Sequence, residues 1–182
     1  MNRWGSKFQS GGPRYGGFGF PFFFDKKRLQ ALVLDEVIEL HQRAVQGDKQ
    51  AVKEAYSLVT QIRRPELPNH LVEAYYGSVM TLMGRDAIDP MERLDYVRQG
   101  LKSLDKAAQN EPDNVEIRIL RGYVCCRLPE AFFHRTAMGV ADFKYLIDRY
   151  QREPHIFSAK FYEQLLRDLA SAERTLERNR KE

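Results

Sequence analysis

Cys125 and Cys126 are adjacent, and His134 follows them across the segment Leu128-Pro129. These are the types that bind a transition metal. A structural zinc centre needs about four ligands, arranged as two pairs at defined spacing. The chain has 2 cysteines and 4 histidines, with no second pair at such a spacing. The expectation is no metal, with the cysteines acting as small apolar residues of a helix. Glu130, His134 and Arg135 share one turn after Pro129 and could form an acid–base group. Glu130 and His134 stand at i,i+4, however, a pair that supports a helix without any chemistry. No nucleophile motif, phosphate loop or dinucleotide fingerprint occurs in the chain. Asp86 and Asp89 lie in the loop opened by Arg85, but a calcium loop needs more oxygens in a set order. Asp89 therefore reads as a helix cap. These residues predict a non-enzyme, with no catalytic residue, cofactor or metal.

A second set of residues can hold a partner. Arg118 and Arg121 are three apart on one helical face, and such a pair can clamp a carboxylate. The alternative is that they are solvated or bridge Glu116 or Asp113 locally. Residues 69–77 lie over 114–122 without a gap, each preceded by a proline corner and each ending on a glycine (Gly77 and Gly122). Glu73 then matches Arg118, and Tyr76 matches Arg121. Tyr75, Tyr76, Arg118 and Arg121 all fall on the opening helices of helix pairs.

Those helices follow from the apolar periodicity after residue 25. Asp25 is expected to cap the first helix, which stops near Gly47, and Asp48 to cap the second, which closes at Arg63-Arg64-Pro65. The third starts at Pro68-Asn69 and ends at Gly84, and the fourth starts at Asp89-Pro90. Pro112 precedes the fifth, which ends at Leu128-Pro129. A sixth runs to about Tyr150, Pro154 interrupts the chain, and a last helix carries Leu165, Leu169, Ala172 and Leu176. Seven helices with short connections predict an all-α domain over 26–178, with 179–182 as a frayed tail.

Residues 1–25 are of another kind. They hold Gly5, Gly11, Gly12, Gly16, Gly17 and Gly19 beside eight aromatics, which include Phe22, Phe23 and Phe24. So much glycine does not sustain a helix, and the segment is expected to be a flexible arm. It could stack on single-stranded nucleic acid. It could place Pro21, Phe22, Phe23 and Phe24, followed by Lys26-Lys27-Arg28, at an anionic membrane surface. Or it could cap the open end of the first helix pair.

The chain has 182 residues, 29 basic and 25 acidic, for a net charge of +4. Mixed charge of this kind describes solvated helix faces and argues against nucleic acid as the main partner. No run of eighteen apolar residues predicts a membrane span, which leaves peripheral attachment at most. No small-residue cleavage site follows the N-terminal aromatics, so no secretory signal is expected. Adjacent cysteines cannot staple distant segments, and a reducing cytoplasm is the expected location.

Leu104, Ala107, Pro112, Asn114 and Gly122 together resemble the tetratricopeptide repeat. In that family a helix pair ends at a Pro-Asn corner and the next repeat carries a small residue at its eighth position. The period departs from the family's, which is about 34 residues. Here Pro68 to Pro112 spans 44 and Asn69 to Asn114 spans 45. Arg63 and Arg149 also stand where the family has a small residue. The segments 75–90 and 120–136 resemble uncharacterised repeat proteins of Gram-positive bacteria. The resemblance covers about residues 28–176 and implies a right-handed α-solenoid of antiparallel helix pairs. Its implied function is a cytoplasmic scaffold or adaptor that binds a peptide or helix in its concave groove. Glu73, Tyr76, Arg118 and Arg121 are the expected groove residues.

Overall fold

In a computed structural model, residues 26–179 are described. They form α1 (Lys26–Val45), α2 (Lys49–Ile62), α3 (His70–Asp86), α4 (Pro90–Asn110), α5 (Val115–Arg127), α6 (Glu130–Phe133), α7 (Thr136–Arg152) and α8 (Ala159–Asn179). Among the described residues there is no strand, and a single isolated bridge joins Arg64 to Leu67.

Helix starts follow the side chains that satisfy their first amides. Asp48 accepts from the amides of Gln50 and Ala51, Asn69 from Leu71 and Val72, Asp89 from Met91 and Glu92, and Asn114 from Glu116 and Ile117. Each such cap stabilises its helix by about 1 kcal/mol. The expected cap Asp25 lies outside the described residues. Gly47 (φ 106°) makes the left-handed turn after α1, where a β-carbon would be strained.

Two expectations about boundaries are corrected. Gly84 does not end α3: the helix continues to Asp86, and a β-carbon at Gly84 would lie 2.9 Å from the Arg93 carbonyl oxygen of α4. The glycine is there for close packing. The expected sixth helix is two, since His134 takes a left-handed conformation (φ 50°) that closes α6. Glu130 then folds back so that its carboxylate accepts from the Thr136 amide at 2.8 Å, at the start of α7. The Glu130–His134 pair is thus a turn between two helices and not an i,i+4 pair on one.

Each helix packs on the next along the chain, with the short α6 bypassed as α5 packs on α7. In addition α1 meets α3, α3 meets α5, and α6 meets α8. One apolar cluster joins α1 to α5 through Val37, Val59, Val72, Leu104 and Ile117, all 1% exposed or less. A second joins Phe143 and Leu146 of α7 to Leu165 of α8. Full burial of each such side chain is worth about 1.5–3 kcal/mol.

At two helix crossings glycine packs on glycine. A β-carbon at Gly100 would stand 2.5 Å from the Gly77 carbonyl oxygen, and one at Gly77 would stand 2.7 Å from that of Gly100. Gly139 of α7 approaches the Gly122 carbonyl oxygen of α5 in the same way, at 2.8 Å from a built β-carbon. Backbone atoms cannot move aside as side chains do, so these contacts bring α3 onto α4 and α5 onto α7.

Candidate interaction groove

The face of α3 and α5 that opens to solvent is a cleft of about 900 Å³. α3 contributes Tyr75, Ser78 and Leu82, and α5 contributes Leu120, Tyr123 and Arg127. These two triplets stand 45 residues apart, position for position, which is the offset between Asn69 and Asn114. α1 adds His41, Gln42 and Val45, and Phe133 and Phe161 close the far end. The volume lies within the range of pockets that hold a sizeable ligand.

The histidine, serine and tyrosines of the cleft are tied down. His41 Nε2 lies 2.8 Å from Ser78 Oγ, and its ring meets that of Tyr75 edge-on at 5.3 Å. The Tyr75 hydroxyl donates to Glu116 at 2.5 Å, and the Tyr123 hydroxyl donates to Asp168 of α8 at 2.8 Å. Burial and these carboxylates push both phenols far above their ordinary range. Burial, and then the charge of Arg127, lowers His41 to about 4. A serine beside a histidine invites comparison with a nucleophile and its base. At neutral pH, however, a histidine held near 4 is a weak base. No carboxylate hydrogen-bonds its ring among the described residues, and Ser78 sits mid-helix, where backbone amides are already committed. The pair links α1 to α3.

The four residues expected to line the groove turn to another face. Glu73 is buried and receives a two-pronged bond from Arg63, at 2.7 and 3.0 Å. Burial alone would raise its carboxyl; hydrogen bonds from Arg63 and Ser103 hold it below the usual carboxylate range. The Arg63 guanidinium also covers the Tyr76 ring at 4.1 Å. Arg118 and Arg121 do clamp a carboxylate, but it is the chain's own Asp142 on α7. Arg118 reaches Oδ1 at 2.8 Å, and Arg121 reaches both oxygens at 2.8 Å. Asp142 is fully buried and Arg121 is 9% exposed. Neither Glu116 nor Asp113 is their partner: Glu116 takes the Tyr75 hydroxyl, and Asp113 takes that of Tyr145, whose ring lies under Arg118 at 3.9 Å.

Arg127 is the groove residue that periodicity could have found and a search for charge pairs did not. Extending the overlay by five residues past Gly122 puts it opposite Leu82. Cys125 is buried, and burial pushes the Cys126 thiol up to about 12, so neither thiol is activated. No group of three or more metal-ligating side chains is found among the described residues. No described helix is long and apolar enough to cross a membrane. Phe22, Phe23 and Phe24, with the nucleic-acid and membrane roles considered for that arm, lie outside the described residues. No protein-family model matches this chain, and comparison with the curated proteins and with the solved structures finds no match.

Proposed function

We propose that this chain is a non-enzymatic interaction scaffold, a tetratricopeptide-like solenoid that holds a peptide or helix of a partner protein in its groove. One observation carries the reading. Equivalent positions 75, 78, 82 and 120, 123, 127 of two equivalent helices line one continuous apolar cleft. Parallel first helices presenting the same stripe are what a repeat protein uses for binding. The Pro-Asn corners, the glycine contacts within each pair and the packing of α1 on α3 and α3 on α5 support the repeat architecture. Two free cysteines fit a reducing cytoplasm.

The test fills the cleft. Ile119 is half-buried and lines it. Ile119→Trp puts a bulky ring there, at a position that also packs against Phe143, Leu146 and Leu165. Binding of peptides selected from a random display library on the full chain is measured by fluorescence anisotropy. The substitution is expected to weaken binding about tenfold or more, some 1.4 kcal/mol, with an unchanged circular dichroism spectrum. Selected peptides that bind the variant as well as the wild type would place recognition elsewhere.

A further inference from the structure

The groove is one-sided in charge. Arg85, Arg93 and Arg127 line it, and no aspartate or glutamate does. Arg85 is neutralised by Asp86 at 2.8 Å and donates to the Ala44 carbonyl oxygen. The other two are exposed and have no ion pair among the described residues. Arg93 donates to the Ala87 carbonyl oxygen, and Arg127 rests over the Tyr123 ring at 5.2 Å. The half-buried and buried guanidiniums of Arg63, Arg118, Arg121 and Arg135 are each held by a carboxylate, whereas the exposed Arg98, Arg167, Arg174 and Arg178 on outer helix faces, like Arg93 and Arg127, have no ion pair among the described residues. Two cations left unmatched beside apolar walls are complementary to a ligand with apolar side chains and negative charge.

We infer that the groove takes an acidic amphipathic segment of a partner protein, its apolar side chains against Tyr75, Leu82 and Ile119 and its carboxylates at Arg93 and Arg127. This rests on the groove reading above and adds the sign of the partner's charge. The chain's own first 24 residues have the wrong sign, with Arg3, Lys7 and Arg14 and no acid. Two free guanidiniums are also thin for a phosphate backbone, where binding rests on many such contacts.

Three fluorescein-labelled peptides of about 15 residues, long enough for a marginal helix, separate the possibilities. They share one leucine–alanine apolar face and carry glutamate, glutamine or lysine on the other. With the full chain at low salt, the glutamate peptide is expected to bind about tenfold more tightly than the glutamine peptide. The lysine peptide should be weakest, and the spread should shrink as salt screens the charges. The double variant Arg93→Glu/Arg127→Glu should reverse the order. Equal affinity of the three peptides for the wild type overturns the charge assignment and leaves the groove reading standing. If none of the three binds, both fall. Two further results would give the groove to another occupant and overturn the inference. One is glutamate-peptide binding that emerges only in the full-length Phe22→Ser/Phe23→Ser/Phe24→Ser variant. The other is displacement of the bound peptide by a single-stranded oligonucleotide at lower concentration than by unlabelled peptide.

Discussion

The α3–α4 pair and the α5–α7 pair are built on one plan with their charges redistributed. In both, a glycine at the same position of the first helix faces a glycine of the second, Gly77 on Gly100 and Gly122 on Gly139. Aligned on those glycines, residues 97–104 and 136–143 have the same sequence of buried and exposed positions. The polar chemistry differs. The first pair keeps its acid on the first helix, as Glu73, beside Ser103 of α4 and under Arg63 from before α3. The second has an aspartate, Asp142, at the position of Ser103, and arginines at the positions of Glu73 and Tyr76. Backbone proximity leaves little room for variation at Gly77, Gly100 and Gly139, where an added β-carbon meets a carbonyl oxygen. The buried charge can change helix as long as its counter-charge arrives with it.

The largest effect should come from removing the better-buried acid. Asp142→Ala takes the hydrogen-bonded carboxylate from both Arg118 and Arg121, leaves Arg121 only the more distant Asp105 at 3.8 Å, and is expected to cost about 3–5 kcal/mol. Glu73→Ala leaves Arg63, whose side chain is 40% exposed, free to turn to water, at a cost of about 1 kcal/mol. Urea denaturation of both variants decides the matter, and equal losses would break the comparison.

The stripes facing the groove allow a second test. Ser78 and Tyr123 are equivalent, and one is tied to His41 of α1, the other to Asp168 of α8. His41 is held near 4 in the fold, against about 6.5 when unfolded. Above about pH 6.5 both states are neutral and its full contribution is present. As pH falls from there to about 4 only the unfolded state takes up the proton, so stability declines, by roughly 3 kcal/mol over the window. Stability measured across that window in the wild type and in His41→Gln should differ in slope, and parallel curves would remove His41 from the account.

A smaller effect than that at Asp142 is the most informative about packing. Gly100→Ala drives a methyl against the Gly77 backbone and should cost about 1–3 kcal/mol. That is roughly 2–4 °C of melting temperature per kcal/mol in a chain of this size. Gly122→Ala meets the edge of the Phe143 ring, at 2.8 Å, which can shift, so its loss should be the lesser of the two. A larger loss at Gly122 would mean that the ring is held as rigidly as backbone.

Much of this was legible in residue order, and what was not has an identifiable cause. Asp48 and Asp89 cap the helices they were expected to cap, and Asn69 and Asn114, read only as marking helix starts, prove to be caps as well, because a cap is satisfied within three residues. Gly77 and Gly122 were readable as close contacts from their matched spacing, but their partners Gly100 and Gly139 were not. Those lie after connections of different length, so the second helices fall out of step with the 45-residue offset of the first. The split at His134 was hidden because histidine, though enriched among left-handed residues, takes that conformation too seldom for its presence to mark a helix end. Residues 73, 76, 118 and 121 share one face, as their spacing implies. Spacing alone says nothing of whether that face meets solvent or the next helix.

Sequence alone therefore determined where the helices after Asp48, Asn69, Asp89 and Asn114 begin, which glycines sit at equivalent places and that Arg118 and Arg121 share a face. Those properties depend on neighbours a few residues away. Tertiary structure decided that the carboxylate they hold is Asp142, 21 residues beyond Arg121, and that the stripe through Tyr75, Ser78 and Leu82 faces the groove. Which face of a helix meets water depends on what packs against it, and that is settled only when helices distant in the chain are brought together.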